Sequence, residues 1–260
     1  IVGGSIRLDG EELVGKTPRE MQAYRGKRMS MILQDPMTSL NPVFTIGEQV
    51  KESVEVRHGP HAPDVWPRVV AALRAVKIPA PEFRIKSYPH QMSGGMRQRV
   101  AGAMPVAAEA ELLIADEPTT ALDVTIQAEY LSLLKEIQQE RNLAIIFVTH
   151  DLGVVAQICD RVAVMYAGKL VEVADVVDLF EAPGHPYTQA LLQSVPSVET
   201  RVARLASIDG QPPNLMQLPA GCSFAARCPF ALDKCKSEPP PVVSMSPNHW
   251  ARCWLLGPAA

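Results

Sequence analysis

Leu112–Asp123, LLIADEPTTALD, is the stretch whose reading decides the fold. Its apolar start has the length of a strand, and it ends in adjacent carboxylates, Asp116 and Glu117. A buried strand ending this way can offer one carboxylate to a metal ion and the other to a water molecule. Upstream, Met92–Val100 reads MSGGMRQRV. Ser93, Gly94 and Gly95 there suit a helix N-terminus, where unpaired backbone N–H groups and the helix dipole favour an anion.

Working outward, GSIRLDG (4–10) reads as a strand and turn, and RMSMIL (28–33) as a second strand leading into the loop QDPMTSLNP. Residues 46–57, 64–77 and 95–107 space their apolar positions as helices. Strand 111–115, helix 124–140, strand 143–148, helix 151–158 and strand 160–166 come next, then a turn at Gly168–Lys169 into a last strand, 169–174. This alternation predicts an α/β fold, a parallel sheet covered by helices. Ligands of such sheets bind at the carboxyl ends of the strands, where Asp116, Glu117 and His150 fall.

Composition sets limits. A chain of 260 residues can bury a sizeable core. With a net charge of −3 it lacks the basic footprint of a nucleic-acid partner or of a protein held on an anionic membrane. No apolar run approaches the roughly 20 residues of a spanning helix, and the start lacks the basic-then-apolar pattern of a secretion signal. A soluble protein is expected, with any membrane role coming through a partner. The texture changes from Ala182 onward, where 12 of the 23 prolines fall, so a boundary is expected within 182–196.

With Gln34 after MSMIL and His150 after AIIFVT, these stretches resemble in order and spacing the ATP-binding cassette of ABC transporters. The resemblance implies a P-loop NTPase-like core over 1–181, with a helical subdomain at about 40–107, and ATP and Mg²⁺ as cofactors. In that family Asp116 would hold Mg²⁺ through a bound water and Glu117 would orient the attacking water. His150 would be the switch histidine at the γ-phosphate, and Gln34 the Q-loop glutamine sensing Mg²⁺ and nucleotide. Ser93, Gly94 and Gly95, with Gln98, would form the signature that binds ATP held by the opposite subunit; Met92 stands where the family usually has leucine. Asp123 would be the D-loop acid that crosses to that subunit. An isolated acidic pair or a lone histidine is ordinarily structural. PTTALD behind the pair, and the 33 residues from Glu117 to His150, argue for function.

YPHQMSGGMRQRV and GHPYTQALLQSVP narrow the likeness to ATPase subunits of peptide importers, the dipeptide, oligopeptide and nickel group. The partners implied are a second ATPase subunit, identical or homologous, and two membrane permeases. A periplasmic or extracellular substrate-binding protein acts indirectly, and no nucleic acid is expected. The implied location is peripheral, on the cytoplasmic face of the inner or plasma membrane. The alternatives are a soluble, non-transport ABC ATPase, or a non-catalytic partner subunit or fragment.

Such an ATPase needs a GxxxxGK[ST] loop to hold the phosphates, and Gly10–Thr17, GEELVGKT, matches the pattern. We read the match as coincidence. Glu11 and Glu12 would set two negative charges against a triphosphate, Leu13 and Val14 are bulky, and Lys16 precedes Gln34 by only 18 residues. The expectation is a relative lacking its N-terminal Walker A segment and inactive as it stands.

Cys222, Cys228, Cys235 and Cys253 cluster in the tail, 182–260. Four thiolates can hold a [4Fe–4S] cluster, a structural zinc or two disulfides. The tight Cys pair usual for zinc is absent. The resemblance implies a cytoplasmic protein, which disfavours disulfides, and some peptide-importer ATPases carry an iron–sulfur cluster on such a tail. A [4Fe–4S] cluster is therefore expected, with Zn²⁺ or free buried thiols as the alternatives. Cys159, in the apolar stretch VVAQIC, is expected to be a buried small hydrophobe.

Overall fold

The computed structural model describes residues 3–34, 39–120, 122–195 and 207–257. The beginning of the expected loop after Gln34, DPMT, and Pro196 at the end of the expected boundary lie outside the described residues. The chain divides into two compact units, Ile1–His150 and Asp151–Ala260.

The first unit opens with a hairpin of β1 (Arg7–Leu8) and β2 (Glu11–Glu12), closed by Asp9 and Gly10, both at positive φ. Strands β3 (Met29–Ile32), β4 (Leu112–Asp116) and β5 (Ala144–Val148) form a parallel sheet in the order β3-β4-β5. Ile32 registers with Ala115, and Asp116 with Val148, so the carboxyl ends of the three strands lie level. Helices α1 (Ile46–His58), α2 (Val65–Ala75) and α3 (Gly94–Ala107) pack on one another, and α3 also packs on β3. Thr45 and Glu48 close a capping box at the start of α1. Helix α4 (Val124–Arg141) ends at Asn142, in the left-handed conformation that asparagine tolerates at a helix end.

The expected helical cover is incomplete among the described residues. Met31 and Ile146 are each 52% exposed and Val148 is 46% exposed, whereas Leu113 and Ala115 are buried.

In the second unit, α5 (Leu152–Ile158) leads into β6 (Arg161–Tyr166) and β7 (Lys169–Asp175). Helices α6 (Val176–Glu181) and α7 (Pro186–Ser194) come next, and the tail adds β8 (Val242–Ser246) and β9 (His249–Arg252). The sheet runs β6-β7-β9-β8 and is antiparallel throughout. Strand 160–166 therefore does not extend the parallel sheet, as the α/β alternation led us to expect. Ala167 and Gly168, both at positive φ, form a two-residue turn that folds β7 straight back along β6.

The texture of the sequence changes at 182–196, but the contacts divide the chain at 150/151, because β7 pairs with β9 of the tail. Val164, Tyr166, Val171, Ala174, Leu179 and Phe224 form the core of this unit. Beside it the fully buried Glu172 carboxylate accepts N–H bonds from Gly184 (2.6 Å) and His185 (2.9 Å) and from the His249 ring (2.7 Å). This network ties β7, β9 and the start of α7 together.

Candidate functional site

The level carboxyl ends of β3, β4 and β5 put Gln34, Glu117 and His150 side by side. Glu117 has φ +43, a left-handed turn off the strand end, and its N–H donates to Val148 O at 2.9 Å. Three side chains donate to its carboxylate: His150 Nδ1 at 3.0 Å, Gln34 Nε2 at 3.1 Å and Thr120 Oγ1 at 3.1 Å. These bonds, that of His150 first, hold the carboxyl below its ordinary range, so it stays ionised. His150 is itself 75% exposed, open to whatever approaches the site. Gln34 donates through its nitrogen, and its carbonyl oxygen is not engaged by that bond. Asp116, the residue before Glu117, ends β4 and supplies a second carboxylate.

The signature stretch lies where the sequence implied. Ser93 caps α3, accepting from Met96 N–H at 3.3 Å, and Gly94 and Gly95 form the first turn. A Cβ on Gly95 would stand 2.8 Å from Ile126 Cγ2, so the starts of α3 and α4 touch and only glycine fits between them. One on Gly94 would meet nothing within 4 Å. Gln98 is fully buried and donates to Pro118 O, which ties α3 to the loop behind Glu117. Asp123 caps α4, accepting from Ile126 N–H at 3.0 Å. Ser93, Gly94 and Asp123 are thus not in the hydrogen-bonded group around Glu117; they edge the adjoining surface. Thr120 was missed, though a hydroxyl three residues past the acid was visible in EPTT.

Gly10–Thr17 is no phosphate cradle. It spans the hairpin turn and β2, then ends at Thr17, the cap of a short helical turn at Pro18–Met21. Glu12 accepts from Ser5 and from the backbone of Ile6 and Val14, Glu11 accepts from Tyr24 O–H, and Lys16 lies over the Tyr24 ring at 5.1 Å.

In the second unit the four tail cysteines line one small cavity of about 20 Å³. Burial raises the thiols of Cys222, Cys228 and Cys253, while backbone N–H groups of Phe224 and Ala225, Phe230 and Leu255, respectively, favour their thiolates. No disulfide joins them. Among the described residues no three His, Cys, Asp or Glu side chains are gathered as a ready-made metal site. The donor set, four thiols of which Cys222, Cys228 and Cys253 have N–H donors on their sulfurs, fits a thiolate-bound group; the sulfurs are not drawn together as its ligands. Cys159, expected in a buried helical stretch, follows the last residue of α5 and is partly exposed.

Two family models match the chain. A family model described as ABC transporter matches residues 2–120, and one described as Oligopeptide/dipeptide transporter, C-terminal region, matches 171–235. The oligopeptide transport ATP-binding protein OppD of Salmonella typhimurium is 47% identical over 253 residues, covering 97% of this chain and 75% of that protein. The dipeptide transport ATP-binding protein DppD of Bacillus subtilis is 49% identical over 256 residues, covering 98% and 76%.

The chain belongs to the ABC transporter ATP-binding proteins. Among solved structures, cbiO1 from Clostridium perfringens, part of the ABC transporter complex cbiONQ, superposes with a TM-score of 0.61 at 28% identity. That match covers 70% of this chain and 69% of cbiO1. The ATP-binding cassette MJ0796 shares the fold, with a TM-score of 0.59 at 24% identity, over 67% of this chain and 74% of that one. The ABC ATPase fold of the chain is thereby established. No helix among the described residues is long and apolar enough to cross a membrane.

Proposed function

We propose that the chain is the ATP-hydrolysing subunit of a peptide importer, and that Glu117 is the group that prepares water for attack. The observation that carries this reading is the Glu117 carboxylate, held ionised by His150, Thr120 and Gln34 at the carboxyl end of a parallel sheet. An ionised carboxylate there can accept a hydrogen bond from water and take its proton as the water oxygen bonds to the γ-phosphorus and the bridging oxygen leaves with ADP. His150 donates to that carboxylate, fixes its orientation, and exposes the rest of its ring to an incoming γ-phosphate. Mg²⁺ bound with ATP neutralises charge on the transferring phosphoryl group, and Asp116 through a water and Gln34 through its amide oxygen would hold it.

Ser93 and the N–H groups of Gly94 and Gly95 serve the nucleotide carried by a second ATPase subunit, with Asp123 at the same junction and Gln98 anchoring α3 to the loop behind Glu117. Helices within 40–107 face two membrane permeases. The subunit works from the cytoplasmic face of the membrane, and a substrate-binding protein delivers cargo on the far side. The similarity to OppD and DppD along nearly the whole chain supports peptides as that cargo. We further assign the four tail cysteines to an iron–sulfur cluster that staples residues 182–260, supported by their shared cavity and by the N–H donors on the sulfurs of Cys222, Cys228 and Cys253.

The test is Glu117→Gln in an assembled transporter whose ATPase subunits carry a GxxxxGK[ST] phosphate loop. ATP turnover should fall at least about a hundredfold, the scale of losing a general base, while nucleotide binding persists. Near-normal turnover would remove Glu117 from this role.

A further inference from the structure

A second and larger cavity, of about 510 Å³, opens in the second unit, where the nucleotide chemistry has no use for it. Its walls combine Lys169 at the start of β7, Trp250 and Arg252 on β9, Ser223 from the tail, and His185 at the start of α7. Among the described lining residues none is acidic. Neither Lys169 nor Arg252 forms an ion pair among the described residues; the Arg252 guanidinium instead lies 6.0 Å from the Trp250 ring centroid. Two cations with no ion-pair partner among the described residues, over one concave surface, raise the local concentration of anions.

Two further polar groups point the same way. Ser223 is 7% exposed, and its hydroxyl is fully buried without a hydrogen-bond partner. A buried hydroxyl left unpaired costs free energy that a ligand oxygen can recover. His185 Nδ1 accepts the Tyr187 N–H at 3.0 Å, so the ring proton sits on Nε2 as a donor. Against these donors stand apolar walls, Val171, Pro240 and the face of Trp250. The volume is that of a small-molecule site.

We propose that this cavity binds a small organic anion, a carboxylate or phosphate monoester carrying a planar or apolar portion. The anionic end is held by Lys169, Arg252 and the Ser223 hydroxyl, and the apolar end lies against Trp250. The site belongs to the second unit and does not depend on the assignment of Glu117.

The test uses the full chain with Trp66 replaced by Phe, so that tryptophan emission reports the second unit alone. Benzoate and phenyl phosphate are titrated, with benzyl alcohol as the neutral control. Saturable change with at least one anion, and at least tenfold weaker binding of benzyl alcohol, is expected; which anion binds tighter separates carboxylate from phosphate ligands. Lys169→Gln and Arg252→Gln should each weaken the anion at least tenfold, while circular dichroism and the thermal midpoint stay as in the parent. Equal affinity for benzyl alcohol would reduce the cavity to an apolar cleft and overturn the proposal. So would saturation unaltered in both variants, or no saturation by either anion.

Discussion

His185 is a titratable side chain held almost wholly out of water. It is 1% exposed, and burial holds its pKa down to about 4, against 6.5 for a free imidazole. The folded state therefore keeps the ring neutral between these values, whereas the unfolded chain protonates it. Because the unfolded state binds more protons there, stability rises with pH across that window. It is fully present above pH 6.5 and is lost as pH falls toward 4, about 3 kcal/mol in all at ~1.4 kcal/mol per unit. The urea midpoint of the second unit, read from Trp250 and Trp254 with Trp66 replaced, should drop between pH 7 and 4.5. His185→Gln should flatten that drop; equal slopes in both proteins would mean that other groups carry it. At this scale the sequence was informative about which polar groups meet and silent about burial. Glu117 and His150 were legible from their neighbours, PTTALD after the one and AIIFVT before the other. Nothing in GHPY says that its histidine is sealed beside a buried glutamate 13 residues back.

At the scale of elements, the two signature glycines separate by what surrounds them. Gly95 is a packing residue, since a methyl group there would press on Ile126 and push α3 off α4. Gly95→Ala should destabilise by about 1–3 kcal/mol, the usual cost of overpacking. Gly94 faces open space at an ordinary negative φ, so the isolated fold gives no reason for glycine there. Gly94→Ala should leave the thermal midpoint unchanged or raise it, because alanine is better than glycine in a helix by about 1 kcal/mol. If Gly94 meets a nucleotide on a second subunit, as we propose, Gly94→Ala should still lower ATP turnover of the assembled transporter at least about tenfold. A lower midpoint with normal turnover would reverse the assignment. The strands and helices up to Tyr166 were legible because each keeps one period and ends in a cap or turn residue, such as Thr45, Ser93 or Asp123. The partner of a strand was not. RVAVMY has the composition of a buried parallel strand, and only the positive φ of Ala167 and Gly168 sends it into an antiparallel hairpin. Strands β8 and β9, in a proline-rich tail, carry too little alternation to be seen at all.

At the scale of the molecule, the two units are held by different means. The first has a parallel sheet and helices with a conventional apolar interior, from Leu113 and Ala115 through Val100 to Leu131 and Leu134. The tail of the second contributes Phe224 to the core, with Tyr187, Leu191, Ile208, Cys222 and Cys228 packed against it, and past α7 it offers short helical turns and a hairpin. So small a core supplies few kcal/mol, and stretches of this kind ordinarily need a staple. The backbone is already drawn together at the cysteines: Cys222 N–H donates to Cys235 O at 2.8 Å, and a Cβ on Gly221 would collide with that same oxygen. If an iron–sulfur cluster is the staple, protein purified without oxygen should be brown, absorb broadly near ~400 nm and carry about four irons per chain. Cys222→Ser, Cys228→Ser, Cys235→Ser and Cys253→Ser should each bleach it, and Cys159→Ser should not. Bleached protein should lose residues 207–257 to protease early while fragments spanning the first unit survive, because that unit's sheet closes without them. Colourless protein with one equivalent of zinc would replace iron by a four-thiolate zinc site. Protein with neither metal and an equally resistant tail would show that packing around Phe224 and the Glu172–His249 bond suffice.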